Sequence, residues 1–234
     1  MGTVIHRCLD CAVRDTALCG AADEEQLAAL SIIGRRRILA AGQVLTWAGD
    51  ANLLCANIVA GILKVTASTA SGREQIVGLL FAGDFVGQPF SEDSTVTVTA
   101  LVESDLCLYP RERFERALSD APALERALLR RTMAALNDAR ERMLTLGQRG
   151  AQERVAGFLL DLADRAAPRT RDGAVTIDVP VSRRDMADFL GLTIETVSRQ
   201  LNRLKTQGAV ALSRGGRTIY VSDRSLLAAF ANPG

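Results

Sequence analysis

The chain has 234 residues, 48% of them hydrophobic and 24% charged, with a formal net charge of +1; this is enough chain for two ordinary globular domains and excludes a disordered or strongly polyionic protein. No uninterrupted apolar run approaches the ~18 residues that cross a bilayer, and Met1 to Asp10 lacks the apolar stretch and small-residue cleavage site of a secretory signal, so the expected compartment is the cytoplasm and no membrane partner is expected. Five cysteines, an odd number in a reducing compartment, then read as metal ligands or redox groups rather than a disulfide framework.

In chain order, residues 1–20 hold three of those cysteines, Cys8, Cys11 and Cys19, in little other context. Residues 23–33 make a short helix whose acidic first turn suits the positive end of its dipole. From about Arg35 to Tyr109 short β-rich runs (Gln43–Trp47, Ala56–Thr66, Gln75–Phe81, Thr95–Leu108) alternate with glycines, the pattern of an antiparallel barrel or roll. Pro110 closes that region, and a long helix follows from about Ala121 to Gly147. Leu129, Leu136 and Met143 form one heptad track along it, with Thr132, Ala139 and Leu146 on the other. This is the seam of a homodimer, and the small residues on its second track make the pairing weak and responsive. A helix packed on its own barrel is the alternative.

A second α-rich unit begins after Gly147. Gln152–Arg165 is amphipathic through Val155, Phe158, Leu159 and Leu162. Ala174–Val179 reads as a strand, two helices follow, and Val210–Val221, broken by Gly215-Gly216, reads as a hairpin. The predicted fold is therefore α+β. It has a cysteine-rich segment (1–20), a β-roll (21–120), a dimerisation helix (121–147) and a winged helix-turn-helix (148–234).

The most informative stretch is Ser182 to Leu201. Ser182 caps a helix with Asp185 three residues on, Ala187 is small where two helices approach, and Gly191 supplies the left-handed residue that ends the first helix. Thr193 caps the second helix, whose apolar side is Val197, Leu201 and Leu204. Ala, Gly four later and Val six later is the spacing of a helix-turn-helix. Glu195, Ser198 and Arg199 share a face off the apolar stripe, where Arg can take a guanine edge and Glu a cytosine amino group. Thr196 joins that face, and Arg203 and Lys205 are placed for phosphates. From Arg149 onward thirteen Lys/Arg oppose nine Asp/Glu, a local balance of +4 against −3 in the remainder, which agrees with double-stranded DNA as the partner.

The run Leu190-Gly191-Leu192-Thr193-Ile194-Glu195-Thr196-Val197-Ser198-Arg199 resembles the recognition element of the Crp/Fnr family, in particular its fumarate-and-nitrate-reduction branch, which carries Glu, two residues, then Ser-Arg. The resemblance covers almost the whole chain. It implies a transcription regulator that binds a palindrome of the TTGA-N4-TCAA kind as a homodimer, with RNA polymerase as a further partner.

Cys8, Cys11 and Cys19 give C-x2-C-x7-C, close enough to converge on one centre of zinc or iron–sulfur type. A [4Fe–4S] cluster needs a fourth ligand, from Cys55 or Cys107. Strand alternation turns Val96, Val98, Ala100, Val102, Leu106 and Leu108 inward and sets Cys107 on the outer face with Thr97, Thr99, Glu103 and Asp105, whereas Cys55 lies in an apolar run and reads as a buried hydrophobe. The resemblance also implies Cys107 as the fourth ligand, a [4Fe–4S] cofactor and oxygen as the signal. A zinc site and metal-free thiols remain alternatives. The sole histidine, His6, so near the N-terminus, is expected to be a poor haem ligand. Gly83-Asp84-Phe85-Val86-Gly87-Gln88 starts like the turn of cyclic-nucleotide binders, but no Lys or Arg occurs between Arg73 and Arg111 to meet a phosphate, so no cyclic nucleotide is expected. With no Ser–His–Asp set, phosphate-cradling loop or carboxylate pair, an enzyme is not expected, and an iron–sulfur electron carrier has no use for a helix-turn-helix.

Overall fold

Alternation of apolar and polar residues builds the first half of the molecule. In the computed structural model, which describes residues 8–166, 175–178, 181–213 and 218–232, the chain divides into two compact units, Met1–Asn137 and Asp138–Gly234. His6 and the Gly215-Gly216 turn lie outside the described residues, as do Ala174 and Val179.

In the first unit a short 3₁₀ turn, Leu18–Ala21, precedes α1 (Glu24–Ile33). Asp23 caps α1 by accepting from the Gln26 N–H while the Gln26 side chain accepts from the Asp23 N–H, which satisfies two of the donors a helix start leaves open. Eight strands follow: β1 (Arg35–Leu39), β2 (Val44–Thr46), β3 (Leu54–Ala60), β4 (Leu63–Ser68), β5 (Glu74–Leu80), β6 (Phe85–Val86), β7 (Thr97–Ala100) and β8 (Ser104–Pro110). They form two antiparallel sheets of order β1-β8-β3-β6 and β2-β7-β4-β5. Leu39, Ile58, Leu106 and Leu108 from the first sheet and Leu63, Val98 and Ala100 from the second share one buried cluster, so the sheets pack face to face as a roll.

Two expectations need correction. The run Ala56–Thr66 is two strands, divided at Gly61, whose φ of 96° no L-residue adopts easily. The run Thr95–Leu108 is also two strands, β7 and β8, and they belong to different sheets. Cys107 therefore shares a face with Asp105 and Tyr109, not with Thr97 and Thr99.

The first sheet is covered on its other face too. Cys55 and Tyr109 pack there with Leu18, Leu30, Phe114, Leu118, Ala121, Leu124 and Ala127, contributed by the N-terminal segment, α1, α2 (Arg111–Ser119) and the start of the long helix α3 (Pro122–Gln148). Cys55 is buried. Helix α2 and strand β1 escape the sequence reading; three consecutive arginines hide β1, which pairs with β8 from Arg35↔Leu108 to Leu39↔Ser104.

The second unit contains α4 (Ala151–Ala166), β9 (Val175–Asp178), α5 (Arg183–Leu190), α6 (Ile194–Thr206), β10 (Val210–Leu212), β11 (Thr218–Val221) and α7 (Arg224–Ala231). The expected hairpin pairs Val210↔Val221 and Leu212↔Ile219, and β9 adds a third strand through Ile219↔Ile177. Val155, Leu159, Met186, Val197, Leu201, Leu204, Ile219 and Leu227 are buried. Truncating Leu106, fully buried between the two sheets of the first unit, to Ala should lower unfolding free energy by about 2–5 kcal/mol, read from urea unfolding followed by circular dichroism. A loss under about 1 kcal/mol would contradict this account of the core.

Candidate functional site

The cysteines meet where the N-terminal segment lies across the outer face of the first sheet. Val13, Ala17 and Val59 form a small buried cluster, and Cys11, Cys19 and Cys107 pack against it. Local turns hold the segment: the Arg14 N–H donates to the Cys11 carbonyl at 3.0 Å, that of Ala17 to Val13 at 2.6 Å and that of Ala22 to Cys19 at 3.1 Å. On the sheet, Cys107 lies between Arg36 on β1 and Asn57 on β3 in register. Its thiol donates to the Tyr109 hydroxyl at 3.3 Å, to which the Asn57 amide also donates at 3.4 Å, and the Asn57 carbonyl oxygen is a buried polar atom without a partner. Arg36 is held by Asp105, its Nε at 2.9 Å from the carboxylate.

These groups, with Cys8, line one pocket: Cys8, Cys11, Cys19, Cys107, Arg36 and Asn57 all border it. The structure thus brings together the four cysteines chosen from the sequence. Burial, then the neighbouring Cys11, Cys107 and Cys8 thiols, push the Cys19 thiol up to about 11, because a thiolate there is poorly hydrated and repelled. Burial pushes Cys55 up to about 12, an inert thiol.

Four thiols with no competing carboxylate at their centre are the donor set of a soft metal or iron–sulfur group, and a cation would relieve the repulsion that raises Cys19. The packing is closer than the chemistry. The cavity among the thiols is about 20 Å³, room for about one water molecule, and among the described residues no three such side chains stand close enough to hold a metal ion. In donor type the four thiols suit a [4Fe–4S] group, which the segment around Cys8 to Cys19, packed as it is here, would have to open to admit.

That segment also touches the long helix. The Arg131 guanidinium on α3 donates to the Thr16 carbonyl and, at 3.0 Å, to the Gly83 carbonyl. Further along α3, Leu129, Leu136 and Met143 are 60%, 42% and 70% exposed, an apolar stripe uncovered in the single chain; Thr132 and Ala139 are exposed beside it, and so is Met133, which the heptad reading missed. Leu146, the last position of the expected seam, differs. It is partly buried and packs on Gly191, where an added Cβ would lie 3.2 Å from its Cδ2.

A larger cavity of about 370 Å³ opens within the roll, lined by Trp47, Asp50, Asn52, Gln88 and apolar side chains, with no Lys or Arg among its walls.

In the second unit the helix-turn-helix is built as its residues dictate. Ser182 accepts from the Asp185 N–H at 3.0 Å, and its hydroxyl donates to the Asp185 carboxylate at 2.5 Å. Gly191 takes φ 62°, ψ 41°. Thr193 accepts from the Thr196 N–H at 3.2 Å and meets the Thr196 hydroxyl at 3.1 Å, so both threonines serve the start of α6. Val197, Leu201 and Leu204 are buried, while Glu195, Arg199, Arg203 and Lys205 are exposed and Ser198 partly so. Glu195's own N–H and then the Thr193 hydroxyl hold its carboxyl below the ordinary range, keeping it an acceptor. Arg154 fixes the frame, donating to the carbonyls of Leu146 at 2.8 Å, Arg149 at 2.9 Å and Leu190 at 3.1 Å; Arg142 stacks 3.8 Å over the Phe189 ring. The resemblance marked Glu153-Arg154 at the entry to the second domain without these backbone bonds, and the sequence reading missed Arg142, whose partner is a ring.

A β-roll, a long helix with an uncovered apolar stripe and a winged helix-turn-helix define a DNA-binding regulator. Residues 36–121 match the cyclic nucleotide-binding domain family and residues 153–230 the Crp-like helix-turn-helix domain. Over 94% of its length the chain is 42% identical to the transcriptional activator protein FnrL of Cereibacter sphaeroides, covering 90% of that protein. Over 98% of its length it is 32% identical to the fumarate and nitrate reduction regulatory protein of Salmonella typhi, covering 92%. Among solved structures, FixK2 from Bradyrhizobium japonicum matches 86% of this chain and 98% of its own with a TM-score of 0.78 and 29% identity. A CooA mutant from Carboxydothermus hydrogenoformans, 20% identical over 88% of this chain and 90% of its own, shares the fold with a TM-score of 0.73. The chain belongs to the Crp/Fnr family of transcription regulators, and it is not an enzyme. No described helix is long and apolar enough to cross a membrane.

The raised Cys19 thiol gives a testable pH dependence. The folded state holds this proton more tightly than the unfolded chain, so its stabilisation is complete below the ordinary thiol value of 9 and is lost as pH rises through about 11. Metal-free protein should lose stability across that window, and Cys19→Ser should flatten the loss. Equal slopes in urea unfolding for both proteins would rule it out.

Proposed function

We propose that the chain is a cytoplasmic, oxygen-responsive regulator that carries a [4Fe–4S] cluster on Cys8, Cys11, Cys19 and Cys107 and binds a TTGA-N4-TCAA-like palindrome as a homodimer, acting with RNA polymerase. The observation that supports this reading is that the three N-terminal cysteines and Cys107 border one pocket on the face from which α3 departs. A thiolate-held cluster supplies iron and sulfide that oxygen oxidises. The protein's part is mechanical. Cys8, Cys11, Cys19 and Cys107, holding the group, would tie residues 8–19 to β8; the same segment buries Leu18 against Leu118, Ala121, Leu124 and Ala127, the lead-in to the stripe Leu129, Thr132, Leu136, Ala139 and Met143. Release of those cysteines would loosen that packing at the base of the seam. Because two linked half-site contacts exceed one by about 10²–10⁴-fold in avidity, a small loss of pairing becomes a large loss of operator binding.

On the reading face, Arg199 meets a guanine edge, Glu195 a cytosine amino group and Ser198 a base or phosphate, with Thr193 and Thr196 shaping the helix start and Arg203 and Lys205 on phosphates. The roll cavity is not read as a cyclic-nucleotide site: its walls offer a phosphate Asp50 and no cation.

A second reading rests on the cavity of about 20 Å³: a metal-free or zinc-binding thiol sensor would need less opening of the segment. One experiment separates the two. Protein purified without air should contain about four iron and four sulfide per chain and absorb in the visible, with the absorbance bleaching in air and self-association falling with it. Cys107→Ser should lose most of both. Zinc, or no metal, with a colourless solution defeats the cluster reading and leaves DNA binding standing.

The DNA reading has its own test. Glu195→Ala and Arg199→Ala should each weaken operator binding by about 1–3 kcal/mol per half-site and relax selectivity at one base pair, measured by titration of labelled operator variants. Unchanged selectivity in both would reject this face.

A further inference from the structure

Three segments distant in sequence meet at one guanidinium. Arg131 stands two residues beyond Leu129 on α3, roughly 200° around the helix, and so on the side away from the apolar stripe. From there it donates to the carbonyl of Thr16, which lies between Cys11 and Cys19, and at 3.0 Å to that of Gly83 in the turn after β5. We infer that Arg131 is the positioning residue that couples the cysteine segment to the long helix, an inference that takes its biological meaning from the sensor reading above.

The local structure is built for this contact. The Thr16 hydroxyl and the Ala17 N–H both bond the Val13 carbonyl, at 3.3 and 2.6 Å, a tight turn that leaves the Thr16 carbonyl to point outward. Gly83 has φ 91°, and a Cβ on it would meet the Thr16 hydroxyl oxygen at 2.9 Å. Only glycine lets the two chains approach closely enough to set both carbonyls before one side chain. A guanidinium presents several donors in a rigid fork and spans two acceptors; an ammonium is a point donor and does not hold both in the same geometry. The acceptors belong to different elements, so Arg131 registers their relative position. While the segment around Thr16 keeps its place, the back of α3 is pinned one residue before Thr132 of the seam. A shift of Cys11 or Cys19 carries Thr16 with it, breaks the shared contact and releases a charged side chain at the root of the dimer helix. Arg131 acts through the backbone carbonyls of Thr16 and Gly83 rather than through the thiols.

The test uses the full chain, reduced and metal-free, so that it does not depend on a cluster. Hydrogen exchange is followed by mass spectrometry in peptides spanning residues 12–22 and 125–137, before and after iodoacetamide alkylation displaces the segment. In the wild type, alkylation should speed exchange in both regions by at least about tenfold. In Arg131→Leu, residues 12–22 should exchange fast from the outset and 125–137 should no longer respond to alkylation. Arg131→Gln, which keeps a neutral donor and safeguards against a folding defect, should behave as Leu does, and Arg131→Lys should fall between Leu and wild type. Wild-type exchange at 12–22 in the Leu and Gln variants overturns the inference, and so does an undiminished response of 125–137. Iron and sulfide analysis of the anaerobic wild type decides the cluster reading separately, so the two failures are distinguishable.

Discussion

The first sheet of the roll has no free face, and the remaining architecture follows from that constraint. One side closes the sandwich through Leu39, Ile58, Leu106 and Leu108. The other must be covered as well, and the chain covers it with its own N-terminal segment, α1, α2 and the beginning of α3. Apolar contact between Leu18, Tyr109, Phe114, Leu124 and Ala127 therefore does two things at once. It buries the back of the sheet, and it lays a thiol-bearing segment between β8 and the root of the helix that carries the dimer stripe. A change in that segment is felt by the helix because both are parts of one hydrophobic cluster, in which packed elements move together rather than independently.

Electrostatics makes this packing conditional. The half-buried Cys19 thiol is pushed up to about 11 by burial and then by the neighbouring thiols, and Val13, Ala17 and Val59 pack beside it around a cavity with space for about one water. Arg36, which borders the same pocket, is already committed to Asp105. On the reading proposed above, the same four side chains would support two states: a closed one held by packing, and an opened one in which positive charge at the centre replaces the lost contacts. Switching between discrete packings, rather than gradual deformation, is what a sensor built on a close-packed core needs.

How much of this could be read from the sequence depended on which atoms carry the interaction. The helix-turn-helix was legible to the residue because caps and turns use side chains or the absence of one: Ser182, Gly191 and Thr193 announce their backbone conformations. Cys107's direction was legible from alternation within β8, and Cys55's burial from its apolar run. The two-residue period failed where it was carried through residues 101–103, since the chain leaves one sheet for the other there and alternation has no memory across a break. Strand β1 was hidden because an edge partner needs only backbone pairing, and its arginines read as solvated charge. Helix α2 was hidden by its charges, although Phe114 and Leu118 at i, i+4 mark its buried side. Arg131, Arg142 and Arg154 were invisible as structural groups: two bond carbonyl oxygens and one lies on a ring, and neither acceptor leaves a compositional trace.

The reading element is complete before any signal reaches it. Its caps, its left-handed glycine and its buried Val197, Leu201 and Leu204 all lie within the second unit, and Arg154 ties the Leu190 carbonyl at the end of α5 to those of Leu146 and Arg149 in that same unit. None of these bonds involves the thiol pocket. On the reading proposed above, an input at the cysteines has little to reshape in α6 itself, and the quantity it changes is whether two preformed reading helices are presented together. The proposed control by pairing accords with the composition of the long helix: Leu129, Leu136 and Met143 form an uncovered apolar stripe, while Thr132 and Ala139 lack the interlocking bulk of a firm coiled coil. Under that proposal a firm coiled coil there would hold the dimer in every state of the sensor, and a polar helix would hold it in none; a marginal seam lets a contact worth a few kcal/mol at its base decide the outcome.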